Sequence, residues 1–514
     1  MPENRYILAF VAMFFAISLF SQRADPDDAK EHFKFGNYTD ALKVYIKLMD
    51  KDPENADYPY KSGLCILFTD RDKNDAVKYL EKASERKSDP DVDFYLGKAY
   101  HQVLKLDEAI ASFEKYKASG AGTKQSEVER EIETVYNAIK QITSPIDVTF
   151  ENVGDNINTE HPDYYPFVTP NESFMVFTSR RSGAKEFDGY YPSSIYYSKV
   201  VNGEFSPAKK GSSMINTSFD DQAVGLSYNA DKLYIYLDDI RNVGDIYEAD
   251  IKDFKFKKKV KLGDNINSNS FESSATISAD GNTMFFASDR DGGMGGKDIY
   301  MSRKLPNGEW ALPQNLGENI NTKYDEDFPN LFYDGSTLYF SSKGHNSIGG
   351  YDYFKSNWDA ENNTWTKPEN IGYPLNTPDD NICISFTEDK RHAYVSTWRK
   401  DSRGEKDIYK VTFNELDARQ TIMKSKIVAN GSTEPITDAF IVVTDNRTQD
   451  EIGNYTPNSK SGSFIITLVP GSYNIFIDAP AYPPKSIDIV VKGKSDFIPF
   501  MTKEFVVGTT PPTE

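Results

Sequence analysis

The spacing of hydrophobic residues changes character twice along the chain, and each change predicts a different kind of element. Between residues 24 and about 142, apolar positions recur at helical intervals with few β-branched runs. That predicts a series of amphipathic helices. From residue 148 to 415, short aromatic stretches alternate with turn residues and charged or glycine-rich loops, the mark of many short strands. From residue 421 to 503 the runs 426–428, 439–443, 462–468 and 471–477 alternate apolar and polar positions, as half-buried strands do. Ahead of these, Arg5 precedes an apolar run over residues 6–20. It is short for a bilayer span and suits a secretory signal over residues 1–21, cleaved after Ser21, with an uncleaved membrane anchor as the alternative. No cysteine follows the run, so a lipoprotein anchor is not expected, and no later segment is apolar enough to cross a membrane. The expected mature protein is soluble and outside the cytoplasm.

The helical part repeats. Ala41, Ala76 and Ala109 are spaced by 35 and 33 residues, bracketing a period of about 34 residues in which paired helices stack into a solenoid. Small residues such as Gly63, Gly97 and these alanines let paired helices approach, while Tyr45, Tyr100 and Phe113 fill the space to the next pair. This resembles a tetratricopeptide array over residues 24–142, with three repeats and a capping helix over residues 127–142. The resemblance implies a partner protein segment; a rigid spacer is the plainer alternative, and no ligand-binding residue is assigned.

The middle region repeats more strongly. One phrase recurs as Gly154-Asp155-Asn156-Ile157-Asn158-Thr159, Met214-Ile215-Asn216-Thr217, Gly263-Asp264-Asn265-Ile266-Asn267-Ser268, Gly317-Glu318-Asn319-Ile320-Asn321-Thr322 and Gly372-Tyr373-Pro374-Leu375-Asn376-Thr377. Asn158, Asn216, Asn267, Asn321 and Asn376 lie 58, 51, 54 and 55 residues apart. Each copy continues with an aromatic strand, a loop, and a strand opening on Asp-Ile-Tyr or a variant, as at Asp245, Asp298, Asp352 and Asp407. Units of this length built from short strands predict a five-bladed β-propeller over residues 147–415, with residues 147–153 as the closing strand. The whole is thus expected to be a multidomain α and all-β chain: α-solenoid, propeller, and a small β-sandwich over residues 421–503, followed by a loose tail over residues 504–514.

Composition narrows the function. The chain has 514 residues, 38% hydrophobic and 27% charged, which is a folded composition. A net charge of −19 argues against a phosphate-backbone partner. Cys65 and Cys383 are flanked by apolar residues and read as buried side chains rather than a disulfide. The five histidines, His32, His101, His161, His345 and His392, show no metal-binding spacing, and no Gly-x-Ser-x-Gly elbow occurs. The expectation is therefore no enzyme, no cofactor, and no catalytic or metal-binding residue. Asp289, Asp291 and Asp298, set among glycines, invite a calcium reading, but the alternating ligands and terminal Glu of a helix-loop-helix calcium site are missing. The alternative is that the Asp opening Asp-Ile-Tyr accepts from backbone N–H groups of a tight turn.

The stretch Ser288-Asp289-Arg290-Asp291-Gly292-Gly293-Met294-Gly295-Gly296-Lys297-Asp298-Ile299-Tyr300 resembles the hallmark of WD-like propellers of TolB-type periplasmic proteins and Bacteroidetes outer-membrane assemblies. Val469-Pro470-Gly471-Ser472-Tyr473 and Ala479-Pro480-Ala481-Tyr482 resemble a carboxypeptidase-regulatory-like sandwich. Together, and in this order, the modules resemble PorE-type components of type IX secretion and gliding machinery. That resemblance implies a periplasmic scaffold at the outer membrane whose partners are a β-barrel or an OmpA-like, peptidoglycan-binding protein. The family's own OmpA-like domain is not found before Glu514, so the expectation is either a shortened relative or contact with the wall through a partner. The alternative is a recognition module that binds a glycan, a peptidoglycan fragment or secreted cargo through the propeller face.

Overall fold

A computed structural model describes residues 24–239, 242–414, 421–446, 448–491 and 500–509. The expected signal segment and its cleavage point after Ser21 lie outside the described residues. The chain divides into two compact units, residues 1–413 and 414–514, and among the described residues no helix is long and apolar enough to cross a membrane.

Among the described residues the first unit opens with seven helices: α1 (Pro26–Lys34), α2 (Tyr38–Lys51), α3 (Asp57–Leu67), α4 (Asn74–Glu85), α5 (Val92–Gln102), α6 (Leu106–Ser119) and α7 (Val128–Ile142). Local chemistry sets several ends. Asp25 and Asn37 cap α1 and α2 by accepting from the N–H groups of Asp27 and Asp40. Close approach explains the glycines: a Cβ on Gly63 would lie 2.5 Å from Leu80, and one on Gly97 would lie 2.7 Å from Phe113. Ala41, Ala76 and Ala109, in α2, α4 and α6, are fully buried.

Five antiparallel sheets follow. Their first three strands are Asp163–Val168, Phe174–Ser179 and Ser194–Val201; Asp220–Leu226, Lys232–Asp239 and Asn242–Lys252; Glu272–Ile277, Thr283–Ser288 and Asp298–Arg303; Glu326–Leu331, Thr337–Ser342 and Asp352–Asp359; Ser385–Phe386, His392–Thr397 and Asp407–Phe413. Short outer strands complete the first four sheets, and the fifth is completed by Val148–Asn152 from the start of the region. Val148 pairs with Phe413 and Asn152 with Tyr409, so the ends of the region share one sheet, as expected of residues 147–153. Second strands such as Phe174–Ser179 and Thr337–Ser342 are buried at every position. A strand buried on both faces reads as a continuous apolar run instead of an alternation, because a sheet covers each face.

The first strands stand side by side around an axis. Ala223 donates its N–H to Thr178 Oγ1 at 3.0 Å, Phe328 to Ser274 Oγ at 3.0 Å and Val168 to Ser385 Oγ at 3.0 Å, while Asn330 Nδ2 donates to the Ile384 carbonyl at 2.8 Å. These bonds link the first sheet to the second, the third to the fourth, the fifth to the first and the fourth to the fifth. The second and third sheets share a hydrophobic cluster that includes Ala223, Tyr234, Ala275 and Phe286. This is a β-propeller fold. Its axis is filled: Tyr165 and Phe328, at bulges, and Cys383 adopt left-handed conformation at φ 52°, 49° and 63°, and the Tyr165 and Phe328 rings meet with centroids 4.4 Å apart.

The second unit contains two sheets around a shared core of Met423, Ile441, Phe464, Ile475 and Phe505 among others. One sheet joins Ser463–Leu468, Thr421–Asn430 and Phe500–Thr509; the other joins Glu451–Tyr455, Phe440–Asp445, Gly471–Asp478 and Lys485–Val491. The expected tail over residues 504–514 needs correction. Residues up to Thr509 continue a strand parallel to Thr421–Asn430, because Phe505 and Val507 alternate into the core; residues 510–514 lie outside the described residues.

Candidate functional site

The repeated phrase is a staple between neighbouring sheets. Its last asparagine forms two bonds with one residue of the preceding sheet's third strand. Asn216 accepts the Ile195 N–H at 2.7 Å and donates to its carbonyl at 3.0 Å. Asn267 does the same with Ile246, Asn321 with Ile299, Asn376 with Tyr353, and Asn158 with Ile408. The Asn158 pair joins the last sheet to the first. The earlier asparagine of three copies reaches outward: Asn156, Asn265 and Asn319 donate to the carbonyls of Phe205, Trp310 and Trp365. Ile157, Ile215, Ile266 and Ile320 are fully buried between them.

Five residues beyond each stapling asparagine stands a polar residue that sequence reasoning passed over. Asp163, Asp221, Glu272, Glu326 and Asn381 are all 2% exposed or less. Each accepts from the N–H of the Thr or Ser four positions before it. Three of the acids have a cation that also holds the phrase. Arg181 pairs with Asp163 and donates to the Ile157 carbonyl, Arg290 pairs with Glu272 and donates to Ile266, and Lys259 pairs with Asp221 and donates to Ile215. Aligning the five copies on their asparagines would have revealed this column.

The fourth and fifth sheets break the pattern. The position of Arg181 and Arg290 is Gly344, where a Cβ would collide with Thr322. His345 donates from Nε2 to the Ile320 carbonyl at 2.9 Å in the arginine's stead. Glu326 is held by the Thr322 N–H and the hydroxyls of Thr322 and Ser342. Burial pushes its carboxyl up to about 7 against those bonds. In the fifth sheet the neutral amide of Asn381 takes the acid's place.

The helices dock at these two exceptions. Arg130 of α7 donates to the carbonyls of Lys343, Gly344 and His345 at 2.6, 2.8 and 3.3 Å. Its guanidinium lies 4.6 Å from the Tyr324 ring centroid. Asn137 and Gln141 donate to the carbonyls of Ser347 and Asn346. Spacings of seven and four place the three side chains on one helix face. Nearby, Gln102 donates to Asp379 at 2.8 Å, Lys406 pairs with Asp70 at 3.4 Å, and Arg71 lies 3.9 Å from Glu405. Burial raises the Asp379 carboxyl despite the charge of Lys73. The loop between the first sheet's strands Phe174–Ser179 and Ser194–Val201 joins in: Phe187 meets Phe35 at 5.4 Å, and Tyr190 donates to Glu405 at 2.7 Å. The helices therefore cover the loop end of the propeller over its fourth, fifth and first sheets.

The glycine-rich loop of the third sheet is architecture. Asp298 accepts the N–H of Met294 and of Gly295 and the amide of Asn315, and Ile348 and Arg403 donate their N–H groups to Asp352 and Asp407 in the same way. Among the described residues no group of three or more His, Cys, Asp or Glu side chains is placed to hold a metal ion. The histidines lie apart. His101 is buried in α5, which lowers its imidazole to about 3, while His161 stacks edge-on against Tyr191 and His392 lies 3.9 Å from Glu172. Cys65 and Cys383 are both buried and unpaired.

At the opposite end of the axis the mouth is roofed. Tyr228 of the second sheet and Tyr333 of the fourth meet at 5.2 Å. Beneath them is a cavity of about 50 Å³ lined by residues from all five first strands, including Phe167, Leu226, Ile277, Leu331 and Phe386. It has room for a few water molecules and is far below the size of a small-molecule site.

This geometry defines a β-propeller with helices fastened across one end. No family model matches the chain, and neither does any curated protein. Among solved structures, the chain is similar to TolB from Acinetobacter baumannii at 15% identity, covering 57% of this chain and 71% of that one, with a TM-score of 0.32. It is also similar to a structure titled a glycoside hydrolase, at 7% identity over 55% of this chain and 95% of that one, TM-score 0.40. A third is an alpha-L-arabinofuranosidase from Lactobacillus brevis, at 14% identity over 50% and 91%, TM-score 0.32. Likeness at this level speaks to the fold and to nothing finer, and the propeller assignment rests on the sheets themselves. The expectation that the chain is no enzyme is corrected by these matches. They include hydrolases as well as TolB, so the fold gives no ground for setting catalysis aside.

Proposed function

We propose that the chain is a periplasmic scaffold that holds other envelope proteins in a fixed arrangement, in a complex at the outer membrane of the type IX secretion or gliding kind. In this reading the five sheets are the five blades of the ring and residues 24–142 are a tetratricopeptide array of three repeats with a capping helix. Residues 421–503 are a carboxypeptidase-regulatory-like sandwich, and residues 1–21 direct export. The partners are a β-barrel of the outer membrane and a peptidoglycan-binding OmpA-like protein. One observation carries the reading: the helical array is fastened to the propeller by side chains rather than hung on a linker, which is what a part that sets distances between partners requires. The helices also occupy part of the propeller's loop end, so recognition at that end is not the favoured alternative.

The test is affinity capture of a tagged full-length chain from detergent-solubilised envelopes, with the proteins identified by mass spectrometry. The scaffold reading expects an outer-membrane β-barrel to be recovered in proportion to the chain. Recovery of the chain alone under mild cross-linking contradicts it.

A further inference from the structure

On the turn end of the propeller, beside the tyrosine roof, a groove of about 470 Å³ opens between the first and second sheets. Tyr228 is a wall common to this groove and to the small axial cavity. Nothing in the scaffold reading uses the groove, and its volume falls within the range of small-ligand sites, about 300–1,000 Å³.

The groove's rim breaks a local rule. In the first sheet, the two-residue turn between Ser194–Val201 and Glu204–Phe205 is Asn202-Gly203, with φ of 55° and 87°. Those residues suit a turn that is left-handed at both positions. The corresponding turn of the second sheet, between Asn242–Lys252 and Lys255–Phe256, is Asp253-Phe254, with φ of 50° and 59°. A bulky aromatic residue is an outlier in that conformation. Strain kept where a cheaper residue is available points to a use for the side chains it displays. Here both Asp253 and Phe254 line the groove.

The remaining lining sets the chemistry. Asn171, Asn229, Asp231, Asp253 and Glu388 surround the space with amide donors and carboxylate acceptors. Asn171 already accepts from Ser173 through Oδ1, which leaves its NH₂ group free to donate. No basic residue lines the groove, but the Lys199 ammonium sits 3.9 Å from the Phe254 ring centroid and already occupies that ring. An aromatic wall with mixed donors and acceptors fits a neutral polyhydroxylated ring: the C–H face lies on Tyr228 and the hydroxyls meet amides and carboxylates. We propose that this groove is a saccharide-binding site, with Tyr228 as the stacking platform and Asn229 and Asp253 as hydrogen-bonding residues. The site goes beyond the scaffold reading and does not depend on it.

Calorimetric titration of the full chain with maltotriose, cellotriose and chitotriose tests this, with trilysine as the cationic control. At least one sugar is expected to bind with Kd below about 1 mM. Tyr228→Ala should weaken it roughly tenfold or more, while Tyr228→Phe, which keeps the ring, should stay within about threefold of the parent. Because Tyr228→Ala also disturbs the axial roof, Asn229→Ala with Asp253→Gly provides a second variant. Glycine fits that turn, so the pair should lose affinity with an unchanged melting temperature. Failure of all three sugars to bind, undiminished binding in both variants, or binding of trilysine in place of sugar overturns the proposal. A failed capture of envelope partners would leave it untouched.

Discussion

Glu326 shows how one substitution in a repeated column changes a residue's chemistry. Asp163, Asp221 and Glu272 sit beside a half-buried arginine or lysine, whereas Glu326 has only hydroxyl and N–H donors because Gly344 stands where the arginine would be. Burial raises its carboxyl from 4.5 to about 7. A folded-state value above the unfolded one means that the folded protein holds a proton that the unfolded chain releases. The associated stability is present below the unfolded value and is lost as pH rises through the folded one. Over that window the loss amounts to about 3 kcal/mol. Glu326→Gln should therefore flatten the fall in stability between pH 5 and pH 8 measured by urea denaturation. An unchanged pH slope in the variant would show that Glu326 is ionised throughout. The phrase around it was visible in the sequence as a spacing, but its roles were not. A bond such as that of Asn158 to Ile408 joins residues 250 positions apart, and no local pattern announces such a partner.

At the scale of elements, strand content and order were legible because a sheet buried on both faces leaves uninterrupted apolar runs such as 174–177 and 338–340. Helix pairing was legible because Gly63 and Gly97 stand where opposite helices come too close for a Cβ. The last strand was not. Phe500–Thr509 pairs in parallel with Thr421–Asn430, and a parallel partner some 80 residues away leaves no turn signal to mark it. Ring closure depends on the Val148–Asn152 strand and on the Asn158 staple beside it. Asn158→Ala would leave both the N–H and the carbonyl of buried Ile408 without these partners. It should cost about 2–4 kcal/mol in urea unfolding. A change within about 0.5 kcal/mol, typical of a surface substitution, would show that the staple is dispensable.

For the whole molecule, the change from helices to strands could be read from the sequence, but the way the helices are fastened to the propeller could not. Arg130 reaches carbonyls 213 to 215 positions away, and its targets are backbone atoms, which leave no residue-type signature. The departures that make room for it, Gly344 and His345, register in sequence only as imperfections of a repeat. Helices and propeller thus form one fixed body, which the distance distribution between spin labels at Glu114 in α6 and Asp280 in the third sheet's turn, measured by double electron–electron resonance in the full chain, would report. A single narrow distribution, broadened by the combined Arg130→Ala, Asn137→Ala and Gln141→Ala substitutions, is predicted. A broad or multi-peaked distribution in the unaltered protein would contradict the account.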